Sequence, residues 1–502
     1  DMSGGGCVGK LFMRSGEGMS AGELLRQANQ LKRSGKLDEA IALYHQVIDI
    51  NPHFAWAYHS LGDALVKQEY FDDALNYFHK AVEINPHIAS FYYHLSEVLA
   101  IQGKFNRAII YFDKFLKINF KNQPNFSNNG CIEKFLTNQI TESSFWSALK
   151  YAHLLSHQNH IEPAINVYQK IIQDSPYQYS EVYNKLGELF LKTEDTKKAV
   201  SVFETAIFLE PQTARYYINF AEATNLWNPC VRAYRKAIKL NPVEFYDYYN
   251  QLEINHTHNI KVKNPIFVVG CGHSGTSVML ALLGSHPCFY PIPYESEIFL
   301  KNISKIKEQM RIWDDECLAD GKLRWIEKTP PHIFQIGKFM KIRPQSQFII
   351  MLRDGRDVVC SLKHRPDYQR FFERIDRWIY DNLAGLLYWE HPRVRVVKYE
   401  DLVSNPEDTL IKICNFLGEK YNDKMLEFHK TEKHWYSEEI VKPEIIDTMT
   451  KHKQNRNWQI NQALFDGRGR WQQEMTPGEK IIFKKKAQQY LLEWGYVQDD
   501  NW

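Results

Sequence analysis

The first half of the chain repeats itself every 34 residues, and this period constrains the fold more than any other feature. Ala40, Ala74 and Ala108 are each 34 residues apart, and a Tyr or Phe follows each alanine by four positions. A fixed period of this length indicates stacked supersecondary units that share one continuous core. The small residues predict close contact between paired helices, and the aromatic residues predict filling between neighbouring pairs.

A second block of the chain has the same internal spacing as the first. Residues 62–86 and 187–211 carry Gly, Ala, Phe, Ala and Pro at matching intervals. This pattern resembles the tetratricopeptide repeat, a helix–turn–helix unit. The resemblance implies an α-helical solenoid of about six repeats over residues 21–242, with a break near 121–144. Its concave face would bind a protein or peptide, and the alternative is a solenoid that only extends or oligomerises the chain.

Composition excludes several other classes of protein. The formal net charge of +2 leaves no broad basic surface for nucleic acid. No apolar run reaches the ~18 residues of a membrane span, and residues 1–20 are expected to be a flexible tail without a secretory signal. The cysteines are scattered and lack a C-x-x-C pair, which favours reduced thiols and a cytoplasmic location.

The pattern changes at residue 264, where short β-rich apolar runs begin to alternate with helical stretches. After an expected linker at 243–263, residues 264–502 are predicted to form an α/β domain with a P-loop-like parallel sheet. Ligands of such sheets bind beyond the carboxyl ends of the strands, so the segments that follow the runs are the candidate site. The runs lie at 265–270, 324–327, 348–352 and 394–400.

The segment after the first run is a glycine-rich turn, residues 270–277, before a predicted helix. Glycine lets the backbone approach an anion closely, and the N–H groups at a helix start attract negative charge. Thr276 stands where the phosphate loop of nucleoside triphosphatases has its lysine. The alternative is an ordinary β–α turn. The candidate anion-binding residues are Gly272, His273, Ser274, Gly275, Thr276 and Ser277.

A lysine follows the second run. Lys328 precedes Thr329 and Pro330, which suit the N-cap and the first position of a helix. A cation is unfavourable beside a helix N-terminus, so a nearby anion would resolve the conflict. The alternative is a solvated lysine whose stem lies on the surface.

Two arginines and a serine follow the third run. Arg353, Ser361 and Arg365 combine bidentate and hydroxyl donors, a set that suits a second phosphate. The alternative is local pairing of arginine with Asp354 or Asp357, which is expected for Arg356. The sequence therefore predicts a ligand with two separate anionic groups.

These segments together resemble the sulfotransferases that use 3′-phosphoadenosine 5′-phosphosulfate (PAPS), and most closely the tyrosylprotein sulfotransferases. The resemblance extends over the chain from residue 264, and it depends on several motifs in the same order. The animal enzymes lack the repeats. The matching segments are Gly272–Met279, His286–Pro287, Glu295–Ser296, Glu327–Pro330, Arg353–Arg365 and Tyr399–Leu402.

The resemblance implies two catalytic residues. Glu295 would be the base that takes the proton of the acceptor hydroxyl, and Lys328 would neutralise charge on the leaving nucleotide. Glu297 is the rival base, because one residue is inserted before this motif. The resemblance implies no metal.

The resemblance also implies a PAPS site. The loop would hold the 5′-phosphosulfate, although His273 replaces the Lys or Arg of the family. Arg353, Ser361 and Arg365 would bind the 3′-phosphate. Tyr399 would contribute to the same site, and so would Arg468 or Arg470, which match the family's C-terminal nucleotide loop only loosely.

Three functional classes follow. The first is a sulfotransferase acting on a protein tyrosine, with a sugar hydroxyl or a small phenol as alternative acceptors. The second is a P-loop kinase, which the replacement of the lysine by Thr276 disfavours. The third is a repeat scaffold whose α/β half binds a nucleotide without turnover.

Overall fold

The computed structural model describes residues 19–120, 142–175, 178–252, 262, 264–363, 365, 367–443 and 448–502. The predicted tail at 1–20 and the predicted break near 121–144 lie almost entirely outside these residues. The chain divides into two compact units, residues 1–195 and residues 196–502. The predicted domain boundaries at 242 and 264 differ from this division and remain predictions.

The first unit consists of helices in its described residues. Antiparallel neighbours are joined by short turns, as the 34-residue period predicts. The helices are α1 (Ala21–Arg33), α2 (Leu37–Ile50), α3 (Ala55–Lys67), α4 (Phe71–Ile84), α5 (Ala89–Ile101), α6 (Phe105–Phe120), α7 (Glu142–His157), α8 (Ile161–Asp174) and α9 (Ser180–Lys192).

Small residues in this unit lie where helices meet. Ala40, Ala74 and Ala108 are fully buried. A Cβ added to Gly62 would lie 2.8 Å from the ring of Phe78, so α3 and α4 approach each other too closely there for any side chain. The predicted helical solenoid is confirmed, and its periodic small and aromatic residues form its core.

The second unit begins with four more helices, of which the first three lie within residues 21–242, the predicted repeat region. Pro242 occupies the first position of the last one, after an N-cap at Asn241. The segment predicted as a linker therefore starts inside a helix, and most of its remainder lies outside the described residues. The helices are α10 (Thr196–Leu209), α11 (Ala214–Ala223), α12 (Trp227–Leu240) and α13 (Pro242–Asn250).

A five-stranded parallel sheet forms the centre of the second unit, in the order β2-β3-β1-β4-β5. The four predicted apolar runs are strands, and β2 is a three-residue strand that the sequence does not predict. The predicted α/β class with a parallel sheet is confirmed. The strands are β1 (Ile266–Gly270), β2 (Phe289–Pro291), β3 (Arg324–Lys328), β4 (Gln347–Leu352) and β5 (Val394–Lys398).

Helices connect these strands and follow the last one. Short 3-10 turns lie at 298–300, 330–335, 423–425 and 428–430. The helices are α14 (Thr276–Gly284), α15 (Ile303–Ala319), α16 (Ile336–Ile342), α17 (Gly355–Ser361), α18 (Phe371–Leu386), α19 (Tyr399–Ser404), α20 (Pro406–Leu417), α21 (Met449–Gln459), α22 (Trp471–Glu474) and α23 (Pro477–Glu493).

Alternate residues of β1 belong to different hydrophobic clusters. Ile266 and Val268 pack with residues of α14 and α20. Phe267 and Val269 belong to a cluster that also contains residues of α11, α12 and α13. Because both faces of the sheet are covered, its strands are apolar throughout. A ligand would therefore bind at the polar segments that follow the carboxyl ends of the strands.

Candidate active site

The glycine-rich turn lies between β1 and α14. Gly270 has a φ of 145° and Gly275 a φ of 89°, conformations that residues with side chains rarely adopt. A Cβ on Gly270 would lie 2.5 Å from the Met351 carbonyl oxygen, and a Cβ on Gly275 would lie 2.8 Å from the Tyr399 ring. The path of this turn therefore depends on glycine at both positions.

Gly272 makes room for an arginine from a distant helix. A Cβ there would lie 2.2 Å from Nη2 of Arg377, which belongs to α18. Arg377 is 9% exposed and stacks on the Tyr368 ring, with 4.6 Å between its guanidinium carbon and the ring centroid. The sequence predicts that the absence of a side chain at Gly272 lets an anion approach. In the structure, the space that a side chain would fill there is occupied by the Arg377 guanidinium.

His273 links the turn to the segment after β4. Its Nδ1 atom lies 2.9 Å from Oγ of Ser361, and its ring centroid lies 5.4 Å from that of His452. Burial and the charge of Arg377 lower the pKa of His273 well below its ordinary value. Burial likewise lowers the pKa of His452, to about 3. Both rings are therefore neutral at pH 7.

Buried donors around the turn lack hydrogen-bond partners within the described part of the chain. They lie in the turn, in the segments that follow β4 and α17, and in α18, and all but the serine hydroxyl belong to arginines. Because an unpaired buried donor is unfavourable, such a cluster fits an anion with several acceptor oxygens. The atoms are Oγ of Ser274, Nε of Arg353, Nε of Arg365, and Nε and Nη1 of Arg377.

Arg353 ties the turn to a C-terminal segment. Its Nη1 donates to the His273 carbonyl oxygen at 3.2 Å, and its Nη2 donates to the Gly467 carbonyl oxygen at 2.5 Å. The guanidinium stacks on Tyr399 at 4.3 Å, and the Tyr399 hydroxyl donates to the Phe465 carbonyl oxygen at 3.1 Å. Arg353 and Tyr399 are thus brought together beside the turn.

Glu295 and Lys328 form an ion pair. Nζ of Lys328 lies 2.7 Å from Oε1 of Glu295, and the lysine is fully buried. Nη2 of Arg456, from α21, donates to the same carboxylate oxygen at 2.6 Å. Burial raises the pKa of Glu295, but Arg456 and Lys328 outweigh this and hold it well below its ordinary value. Glu295 is therefore a carboxylate at neutral pH.

Arg456 also connects this pair to the helix that follows the glycine-rich turn. The same Nη2 atom donates to Oγ of Ser277 at 3.1 Å. The Tyr436 ring lies under both cations, 4.2 Å from the Arg456 guanidinium and 4.8 Å from Nζ of Lys328. Cation–π contacts of this kind stabilise charges that are removed from water. The carboxylate, the lysine and the loop hydroxyl thus converge on one place.

A second, fully buried carboxylate fixes the segments that carry these residues. Glu327 accepts hydrogen bonds from Oγ of Ser296 at 2.8 Å and from the Thr329 hydroxyl, and it lies 2.7 Å from Nδ1 of His332. Thr329 does occupy the N-cap position, but its side chain makes no cap hydrogen bond. It bonds to Glu327 instead, so this network positions the backbone on either side of Glu295 and Lys328.

The other predicted residues have contacts of their own. Arg365 donates to Asp367 at 3.2 Å and keeps Nε unpaired. Arg468 is engaged by Asp466 and Ser404, and Arg470 donates to Glu474 at 2.8 Å. Glu297 is exposed, and Thr276 is the buried first residue of α14. Arg356 pairs with Asp354 at 2.7 Å, as the sequence predicts.

Four residues of the site escape sequence reasoning. Tyr436 and His452 lie beyond the recognised motifs, and Arg377 and Arg456 lie within helices where an arginine normally faces solvent. The helical spacing of Arg377 and Asp381 in α18 would at most predict a surface ion pair. Only their contacts in the folded protein distinguish these four residues from polar residues on the surface.

Two absences concern the described residues alone. None of their helices is long and apolar enough to cross a membrane. They also contain no group of three or more His, Cys, Asp or Glu residues arranged to hold a metal ion.

Family models match separate parts of the chain. A sulfotransferase family model matches residues 316–423. Tetratricopeptide-repeat models match residues 28–69, 59–124 and 180–213.

Several curated proteins are similar to this chain at low identity. A putative protein-tyrosine sulfotransferase of Caenorhabditis briggsae is 27% identical over 33% of this chain and 69% of its own length. The protein-tyrosine sulfotransferase of Drosophila melanogaster is 26% identical over 37% of this chain and 46% of its own length. An uncharacterized protein of Aquifex aeolicus is 23% identical over 34% of this chain and 28% of its own length. This chain thus spans only part of each relative, so the activities of those whole proteins extend to it only as proposals.

A solved structure adds a weak likeness. The sulfotransferase domain from the olefin synthase of Synechococcus PCC 7002 is 16% identical, covering 47% of this chain and 98% of that domain, with a TM-score of 0.33. A likeness at this TM-score supports no conclusion about function. The chain thus matches tetratricopeptide-repeat models in its N-terminal part and a sulfotransferase family model in its C-terminal part.

Proposed function

We propose that this protein transfers the sulfuryl group of PAPS to an acceptor hydroxyl, and that the acceptor is a tyrosine of a protein or peptide. The observation that carries the proposal is the convergence of Glu295, Lys328 and Ser277 beside a phosphate loop that lacks the lysine of a kinase. The names of the Caenorhabditis and Drosophila relatives support the choice of acceptor.

Glu295 is the residue we assign as general base. A carboxylate whose pKa is depressed is ionised at neutral pH and ready to accept a proton. Its Oε1 atom carries both ion pairs, so Oε2 is the oxygen that we assign to the acceptor hydroxyl. Glu297 is exposed and lacks these cations as neighbours, which supports Glu295 over its rival.

The cationic residues serve charge stabilisation. Sulfuryl transfer resembles phosphoryl transfer, in which catalysis is mostly positioning and stabilisation of developing charge. Lys328 is buried next to the base, where it would neutralise charge on the departing nucleotide. Ser277 is the loop hydroxyl that Arg456 links to this pair.

The buried donors of the loop and of the arginine cluster fit the nucleotide. The unpaired atoms of Ser274, Arg353 and Arg365 supply the donors that phosphate oxygens need. His273 is neutral, so it would act as a hydrogen-bond partner through its link to Ser361 rather than as a charge. PAPS supplies the sulfuryl group and leaves as adenosine 3′,5′-bisphosphate (3′,5′-ADP).

The first prediction concerns nucleotide selectivity. We expect the protein to bind 3′,5′-ADP more tightly than 5′-ADP or ATP by calorimetry, because Arg353 and Ser361 serve a 3′-phosphate. Arg353→Ala should weaken binding of 3′,5′-ADP by about 1.5–3 kcal/mol, the range for a hydrogen bond to a charged group. Adenosine 5′-phosphosulfate, which lacks the 3′-phosphate, should lose little affinity. An equal loss for both ligands would contradict this assignment of Arg353.

The second prediction separates the two candidate bases. Glu295→Gln should lower kcat by about 10²–10⁴-fold, the usual contribution of a general base, and should leave 3′,5′-ADP binding nearly unchanged. Lys328→Met should also remove most turnover. Glu297→Gln is the matched control and should retain activity because this side chain is exposed. A damaging Glu297→Gln with a mild Glu295→Gln would move the base to position 297.

The third prediction concerns pH. Arg456 helps to hold the pKa of Glu295 well below its ordinary value, and the base works only when ionised. Arg456→Gln should raise that pKa, so the acid limb of the kcat/KM profile should move to higher pH, while Arg456→Lys keeps a cation and should move it less. An acid limb that stays in place in Arg456→Gln would show that Arg456 does not set the charge of the base.

The fourth prediction concerns the repeats, which we propose recruit the peptide acceptor over residues 21–242. Because repeat helices from Thr196 onward belong to the second compact unit, the test uses a shortened protein that begins at Thr196. Tethering raises the effective concentration of a peptide, so its KM should rise in the shortened protein while kcat/KM for a small phenol stays unchanged. If both substrates are affected equally, or neither is affected, the first unit does not capture the acceptor.

A further inference from the structure

A buried chain of charges extends from a repeat helix to the phosphate loop. Arg235, in α12, donates from Nε to Oδ1 of Asp381 at 2.6 Å and from Nη2 to Oδ2 at 3.3 Å. Oδ2 of Asp381 also lies 3.6 Å from Nε of Arg377. One carboxylate in α18 is therefore shared by two arginines that belong to different helices.

This chain of charges ends against the loop. Nη2 of Arg377 lies against Gly272, where no side chain would fit. Asp381 lies close enough to the Cys271 thiol to add to the increase in pKa that burial causes there. Tyr368 completes the cluster, because its hydroxyl accepts from Nη1 of Arg235 at 2.9 Å and its ring stacks on Arg377.

The cluster carries one more positive charge than negative. Arg235 and Arg377 contribute two cations, and Asp381 contributes one carboxylate. The bidentate contacts assign this carboxylate chiefly to Arg235, and Nε and Nη1 of Arg377 lack hydrogen-bond partners among the described residues. A buried cation with unpaired donors is unfavourable until an anion approaches it. The surplus charge lies beneath the loop.

We propose that Arg377 is a further anion-binding residue of this loop, and that Arg235 and Asp381 are positioning residues that keep its charge available. The inference rests on the proposed function, because the anion it serves is the 5′-phosphate group of the nucleotide. The last repeat pair thereby contributes to nucleotide affinity from outside the α/β sequence motifs. Without Arg235, Asp381 would neutralise Arg377.

The test is calorimetric binding of 3′,5′-ADP to full-length variants. Arg377→Met and Arg235→Met should each weaken binding by about 10- to 100-fold, the range for a hydrogen bond to a charged group. Each substitution leaves one Arg–Asp pair behind, so neither leaves an unpaired buried charge. Arg232→Met removes an exposed arginine of the same helix and should change nothing. Unchanged affinity in Arg377→Met would overturn the proposal.

A combined variant distinguishes positioning from general damage to the fold. If Arg235 acts only through Arg377, the variant with Arg235→Met, Asp381→Asn and Arg377→Met, which leaves no buried carboxylate without a cation, should bind no more weakly than Arg377→Met alone. Losses that add would overturn this coupling. Arg235→Lys keeps the charge and should retain most of the affinity. A loss as large as that of Arg235→Met would show that surplus charge is not the cause.

A ligand that lacks the 5′-phosphate tests which phosphate group Arg377 contacts. Binding of 3′-AMP should be nearly the same in Arg377→Met as in the unchanged protein, because Arg377 faces the loop that serves the 5′-group. An equal loss for 3′-AMP and 3′,5′-ADP would overturn that assignment. Binding of 3′,5′-ADP to the unchanged protein also distinguishes a failure of the proposed function from a failure of the role assigned to Arg377. If it fails to bind 3′,5′-ADP, the proposed function fails, whereas normal binding that the variants do not alter rejects this inference alone.

Discussion

Five cations lie at the carboxyl edge of the sheet, and the arrangement of the site depends on how they are stabilised. Five basic side chains meet there, and each takes part of its stabilisation from a carboxylate, a carbonyl oxygen or an aromatic ring rather than from water. The basic residues are Lys328, Arg353, Arg365, Arg377 and Arg456, and the carboxylates that pair with them are Glu295, Asp367 and Asp381. Because burial disfavours donors that lack a partner, the arginine atoms left without hydrogen bonds here fit a multiply charged anion.

The same cations place positive charge beside a loop that has no lysine of its own. Thr276 begins α14 as a buried residue, and the cations approach the loop from α18 and α21 instead. Arg377 lies against Gly272, and Arg456 reaches Ser277. Charge supplied from neighbouring helices is held in place by the packing of those helices, whereas a lysine in the loop would depend on the loop alone.

Sequence patterns predict the parts of this protein that follow from local rules. Apolar runs identify four of the five strands, and glycines with positive φ identify the turn, since both signals depend on neighbouring residues. The roles of Arg377 and Arg456 depend on the packing of helices far apart in sequence, which periodicity does not encode. The reason for glycine at position 272 is likewise not predictable from neighbouring residues. Its small size makes room for the guanidinium of Arg377, more than a hundred residues further along the chain.

The repeat region also continues into the core of the second unit rather than ending beside it. Glu222, in α11, accepts hydrogen bonds from Tyr234 and Tyr249 at 2.7 Å each and pairs with Lys338 at 2.7 Å. Lys338 belongs to α16, which follows the segment that carries Lys328. The Glu222 carboxylate thus holds α16 in place through Lys338. Arg235, in α12, likewise holds α18 through its ion pair with Asp381. In a regular solenoid, a helix pair contacts only its neighbouring repeats. Here α11 and α12 contact α16 and α18, which connect strands of the sheet. A change in the position of α12 would therefore alter the charges beside the loop.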